Sequence, residues 1–257
     1  MATPLLEIHN LVVRFGGIVA LDRVSFNIHP NTIVGLIGPN GAGKTSLFNC
    51  LSRLYTPSEG GIRFAQRSIL ELPPHQMAKL GIGRTFQNLA LFRNLSVLDN
   101  VRIGGHTRHP GQFLADALNL PSSRNERRAC TDAAFRYIEH LDLTDVAHHR
   151  VGDLPFGTQK RVELARALAT NPKLLLLDEP ACGLNHEEVE ELSRTITRLK
   201  SDFGLAILLV EHHMGLVMSI SEKVVALNFG RKIAEGTPLQ VQSHPDVIAA
   251  YLGADVK

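Results

Sequence analysis

One octapeptide, Gly38-Pro39-Asn40-Gly41-Ala42-Gly43-Lys44-Thr45, constrains this chain more than any other stretch. It fits the pattern G-x-x-x-x-G-K-[ST], which requires a strand before it and a helix after it. The sequence supplies both. Residues 32–37 form a dense apolar run of the kind buried on both faces of a sheet. Residues 46–54 read as a helix. Glycines let backbone N–H groups converge on phosphate oxygens with no Cβ in the way, and the helix points its positive end at the same anion. Lys44 is placed to reach the β- and γ-phosphates, and the Thr45 hydroxyl to ligate Mg²⁺. Pro39, Asn40, Ala42 and Ser46 complete the expected phosphate-binding set.

A second apolar run, Leu174 to Leu177, ends on two carboxylates, Asp178 and Glu179. A strand of this kind sets both at its C-terminal edge, where ligands of open α/β sheets bind. Asp178 suits the water shell of a Mg²⁺ ion, and Glu179 suits a general base that polarises an attacking water. Acidic residues after a strand also cap following helices. The phosphate cradle favours the nucleotide reading over that alternative.

Composition narrows the class. Hydrophobic residues make up 44% of 257 and charged residues 20%, as in an ordinary globular protein. No apolar run approaches the ~20 residues of a membrane span. The start, MATPLLEIHN, lacks the basic and apolar regions of a signal peptide. Three separated cysteines, Cys50, Cys130 and Cys182, suggest neither a disulfide framework nor a zinc site and fit a reduced cytosolic setting. Cys182 reads as a small buried residue. The twelve histidines are scattered, without a metal-ligand pattern. With 27 basic and 25 acidic residues the net charge is +2, so no nucleic-acid partner is expected.

Leu6 to Ile28 alternates between apolar and polar positions and predicts antiparallel strands. Residues 88–150 read as helices, Arg127 to Leu141 among them, with a helix-breaking insert over 106–125. Beyond Gly157, helices at 159–169, 187–200 and 246–252 alternate with strands at 174–177, 205–210 and 223–228. Such alternation predicts an α/β fold with a parallel sheet. The class is a P-loop NTPase (RecA-like) core with an N-terminal antiparallel β subdomain and an inserted helical subdomain. The expected single domain divides into a nucleotide-binding core (1–87 and 151–230), a helical subdomain (88–150) and a C-terminal extension (231–257).

Further motifs follow in one order. Phe15 lies in Arg14-Phe15-Gly16-Gly17, and Gln87 ends Arg84-Thr85-Phe86-Gln87. Leu154-Pro155-Phe156-Gly157-Thr158-Gln159 precedes a helix, Gly183-Leu184-Asn185 follows the paired carboxylates, and His212 sits in Val210-Glu211-His212. Together with the cradle they resemble the ATP-binding cassette superfamily. The resemblance covers nearly the whole chain. It implies that Phe15 stacks on adenine, that Gln87 (the Q-loop) ligates Mg²⁺ and water, and that His212 (the switch histidine) contacts the γ-phosphate. It also implies that Gly157, in the signature segment, meets ATP held by a partner subunit. The stretches GLIGPNGAGKTSLFNCLS, GIGRTFQN, LDEPACGLN, VEHHM and HPDVIAAYLG are similar to the larger ATPase of branched-chain (hydrophobic) amino-acid importers, a branch with an insert between Q-loop and signature.

That branch implies ATP and Mg²⁺ as cofactors and a cassette held on the inner face of the cell membrane through partners. These are two permease subunits, a second cassette ATPase (the same chain or a similar one) and a substrate-binding protein outside the membrane. Departures stand beside the matches. The usual signature L-S-G-G-Q has Pro155, Phe156 and Thr158 here, so only Gly157 stays in register after Leu154. Asn185 replaces the usual D-loop aspartate, and His213 replaces an aspartate after the switch histidine. A lipid- or lipopolysaccharide-moving cassette and a non-transport cassette ATPase remain the alternatives.

Overall fold

The computed structural model describes residues 3–85, 89–106 and 121–252. The alternating N-terminal segment forms β1 (Leu6–Phe15) and β2 (Ile18–Ile28), paired antiparallel as the pattern predicts. Two further strands, β4 (Glu59–Phe64) and β5 (Arg67–Ser68), complete a sheet of order β2-β1-β4-β5. The first carries buried Ile62 and Phe64 after two glycines and the second is two exposed residues, so neither offered a run long enough to read.

The second sheet has six strands in the order β10-β9-β3-β8-β7-β6. They are β3 (Ile33–Ile37), β6 (Ile82–Arg84), β7 (Leu174–Asp178), β8 (Ala206–Val210), β9 (Lys223–Asn228) and β10 (Arg231–Gly236). All pairings are parallel except that of β10 with β9. The unbroken apolar runs have a direct cause, since strands covered on both faces alternate between two cores. Leu174 and Leu176 pack against the antiparallel sheet and α1 (Lys44–Leu51), while Leu175 and Leu177 pack on the opposite, helical side.

Among the described residues the remaining helices are α2 (Met77–Leu80), α3 (Val97–Gly105), α4 (Pro121–His140), α5 (Phe156–Ala169), α6 (His186–Phe203), α7 (Met214–Ile220), α8 (Pro238–Gln242) and α9 (Pro245–Leu252). One boundary corrects the sequence reading. The insert expected over 106–125 ends earlier, because α4 already begins at Pro121, and residues 107–120 lie outside the described part. Proline is tolerated in a helix's first turn, where its missing N–H has no partner to lose. Buried Asn100 of α3 ties down the chain before it, accepting from the Phe92 N–H at 2.9 Å and donating to the Phe92 carbonyl at 3.0 Å. Among the described residues no helix is long and apolar enough to cross a membrane.

Candidate functional site

The cradle follows β3 and turns into α1. Gly38 and Gly43 have φ of 150° and 102°, a region L side chains rarely adopt. Space excludes a side chain as well. A Cβ on Gly38 would lie 2.2 Å from the Leu227 carbonyl oxygen, and one on Gly43 would lie 2.6 Å from that of Ala20. Both glycines are therefore wedged against neighbouring backbone. Gly41 has nothing within 4 Å of its Cβ direction and lies open. The loop is thus built to present N–H groups outward with no side chain covering them.

Lys44 is buried and closes the loop on itself. Its Nζ donates to the carbonyls of Gly38 at 2.6 Å and Pro39 at 3.0 Å. Burial lowers its pKa, and the charges of Glu179 and Asp178 oppose that shift. Thr45 and Asn40 are exposed, while Ala42 is buried. Ser46 is half-buried in the first turn of α1.

Asp178 ends β7 with its side chain 6% exposed. Arg84, at the end of β6, donates to Asp178 Oδ2 at 2.9 Å. The same guanidinium donates to Asn49 Oδ1 at 2.9 Å and Ser52 Oγ at 3.0 Å, so it joins β6, β7 and α1. Burial pushes the Asp178 carboxyl up, and Arg84 opposes the shift without cancelling it. A hydroxyl at Thr45 and a carboxylate at Asp178 are the hard oxygen donors that Mg²⁺ takes. Gln87, the third expected ligand, lies outside the described residues.

Glu179 sits at φ 50°, its N–H donating to the Val210 carbonyl at 2.9 Å. This turn carries its side chain to His212, whose Nε2 lies 2.9 Å from Glu179 Oε1. An ionised carboxylate only accepts, so the imidazole donates. Neither acid caps the next helix. Asn185 does, accepting from the Glu188 N–H at 3.0 Å while Glu188 Oε2 accepts from the Asn185 N–H at 2.9 Å. His213 caps α7 in the same way, its Nδ1 accepting from the Leu216 N–H at 3.1 Å. Both departures from aspartate thus keep a capping acceptor in place.

Phe15 is 45% exposed at the end of β1 and packs edge-on against Tyr55, with centroids 5.0 Å apart. It is not a core aromatic. Gly157 lies in the first turn of α5, nearest to Glu188 and Leu184, away from the neighbours of the cradle. Exposed Phe156 rests beside Gly183 and under the Lys160 ammonium, 5.5 Å from its ring centroid. Cys182, expected to be buried, is exposed. The inward position of its loop goes to Ala181, which is 7% exposed.

Two residues at this site carry parts that sequence reasoning left unassigned. Arg84 is one. Glu211, 3% exposed between β8 and His212, is the other. A charged residue at the end of a strand was the available signal in both cases.

The comparisons decide the family. Residues 21–182 match a family described as ABC transporter. The chain belongs to that family. Residues 231–257 match a second description, branched-chain amino acid ATP-binding cassette transporter. The chain is 42% identical over 253 residues to the high-affinity branched-chain amino acid transport ATP-binding protein BraF of Pseudomonas aeruginosa, covering 98% of this chain and 99% of that one. The ADP conformation of MJ1267, an ATP-binding cassette of an ABC transporter, superposes with a TM-score of 0.84 at 29% identity, covering 98% of this chain and all of that one. A dimeric structure of MJ0796, a bacterial ABC transporter cassette, gives 0.76 at 25% identity, covering 91% and 98%. The chain is accordingly an ATPase cassette with the nucleotide-binding fold of this family.

Proposed function

We propose that this cassette is the ATP-hydrolysing subunit of an importer for branched-chain amino acids. The observation that carries the catalytic part is the Glu179–His212 contact at 2.9 Å, beside Asp178, with the charges of both carboxylates acting on the cradle's Lys44. The substrate class rests on the likeness to BraF and on the match of residues 231–257.

Phosphoryl transfer to water is governed by positioning and charge neutralisation. Backbone N–H groups of the loop from Asn40 to Thr45 hold the phosphates at the positive end of α1. Lys44, which now bonds two loop carbonyls, turns its ammonium to the β- and γ-oxygens. Phe15 stacks on adenine, with Tyr55 bracing its edge. Glu179 takes the proton of the attacking water, and His212, whose Nε2–H now bonds that carboxylate, turns it to the γ-phosphate. Thr45, Asp178 and Gln87 would hold Mg²⁺, which when bound neutralises charge on the β- and γ-oxygens. Gly157 belongs to the other half of a site. Set apart from its own cradle, with α5 directing N–H groups outward, it meets ATP on a second cassette. Two permeases would receive residues 88–150, and a binding protein outside the membrane would deliver the amino acid. The cassette then works at the inner membrane face, held there by the permeases.

Glu179→Gln tests this reading in the transporter reconstituted with its permeases. ATP turnover is expected to fall by about 10²–10⁴-fold, the range of general-base catalysis, and leucine uptake to fall with it. Turnover at the unsubstituted rate would overturn the catalytic assignment. In cells lacking the chain, undiminished uptake of leucine, isoleucine and valine would overturn the substrate assignment.

A further inference from the structure

The carboxylate of Glu211 accepts three backbone N–H groups from two loops. Its Oε1 receives the Ala181 N–H at 2.6 Å. Its Oε2 receives those of His212 at 3.0 Å and His213 at 3.3 Å. The side chain is buried, so these bonds form away from water, where an ionised acceptor bonds strongly and a lost partner is costly. Parallel pairing of β7 with β8 ends at Asp178 opposite Val210, with one more bond from the Glu179 N–H to Val210. Pro180 then has no N–H to continue the ladder. Glu211 bridges the gap where the two chains part.

The bridge has a direction. Two successive N–H groups, from His212 and His213, converge on one oxygen, which fixes the backbone that carries the imidazole. That imidazole meets Glu179 at 2.9 Å. On the other side, Ala181 opens the loop that carries exposed Cys182 and Gly183 and ends at the Asn185 cap.

We propose that Glu211 is a positioning residue that ties the loop opened by Ala181 to the backbone of His212 and so sets the Glu179–His212 geometry. The inference rests on the reading of Glu179 and His212 given above. The bonds of Glu211 come from backbone N–H groups of two loops, so it acts through the backbone that carries His212.

Glu211→Gln keeps the shape but turns an NH₂ toward N–H groups. In the assembled transporter, kcat for ATP is expected to fall by about 10- to 100-fold, the scale for a slightly misplaced group. KM for ATP is expected to stay within about twofold, because the cradle and Phe15 are untouched. Glu211→Asp keeps the charge beside the next two N–H groups but falls one methylene short of Ala181. It should recover part of kcat. In a His212→Ala background, Glu211→Gln should lower kcat no further.

Turnover of Glu211→Gln at the unsubstituted rate, kcat and KM changing together, or independent losses in the double variant would each overturn the proposal. Glu179→Gln in the same preparation separates the two readings. If it still hydrolyses ATP, the assignment of the site itself has failed. If it is inactive while Glu211→Gln is normal, only the Glu211 proposal has failed. Should Glu211→Gln not fold, hydrogen exchange on the unsubstituted transporter decides. The amides of Ala181, His212 and His213 should gain protection together when ATP closes the cassettes. Protection of His212 with Ala181 unchanged would overturn the coupling.

Discussion

At the scale of single residues, the proposed mechanism divides the site between groups that hold the nucleotide and groups that act on it. Phe15 and Tyr55 belong to the first kind, as an exposed edge-to-face pair at 5.0 Å. Stacking on such a ring contributes about 1–3 kcal/mol per base. Phe15→Ala should therefore raise KM for ATP by about tenfold and leave kcat nearly unchanged, as steady-state assays of the reconstituted transporter would read. Glu179→Gln should do the opposite. The sequence pointed to Lys44, Asp178 and Glu179 through a short spacing and a strand end, and to His212 through the family resemblance. Arg84 and Glu211 were not, because their partners lie 94 and 30 positions away. Only the folded sheet, which sets β6 beside β7 and β7 beside β8, brings those pairs together. Cys182 was misread for a related reason. Local composition does not say which of two small neighbours, Ala181 or Cys182, faces inward.

At the scale of elements, the parallel strands were readable because each is covered twice. The β6 strand is only three residues long, and the mostly polar, exposed surface of β10 gave no apolar run. Helix starts follow chemistry that can be tested one at a time. Asn185 and Glu188 cap each other's N–H groups at the head of α6. Asn185→Ala should cost about 1 kcal/mol, seen as a lower midpoint in urea unfolding. The β9–β10 ribbon carries a pH-dependent contribution. Burial raises the pKa of Glu235, but bonds from Lys223 and Lys232 outweigh it and hold the carboxyl below its ordinary 4.5. A carboxyl depressed in the folded state stabilises above its unfolded pKa, and that contribution is lost as pH falls through the folded value. Glu235→Gln should thus lower the urea midpoint at pH 7. The difference from the unsubstituted chain should shrink steadily on acidification below about pH 4.5.

For the whole molecule, two sheets share one apolar layer. The first holds the antiparallel strands of the N-terminal region and the second holds the parallel core, and α1 packs in the apolar layer between them. Arg231 bonds Asp22 across 209 positions of sequence, and Lys232 bonds the Ser25 carbonyl across 207. These contacts stitch β10 to β2, an arrangement no periodicity within a short window can reveal. They also bring late residues to the cradle itself. The Gly230 N–H donates to the Ala42 carbonyl at 3.0 Å, and the Asp22 N–H donates to Gly230. A side chain at position 230 would press within 2.8 Å of the Ala20 carbonyl oxygen, at a φ of 76°.

This seam gives the nucleotide site a birth order. The glycine loop leaves the ribosome early, as residues 38–45, yet its floor is finished only when residue 230 arrives. Nucleotide therefore cannot template the first part of the chain, because non-local closure must come first. Nascent chains arrested after Asn228 should hold a fluorescent ATP analogue far more weakly than full-length chains displayed on a linker. The catalytic loop is thus early in synthesis and late in assembly.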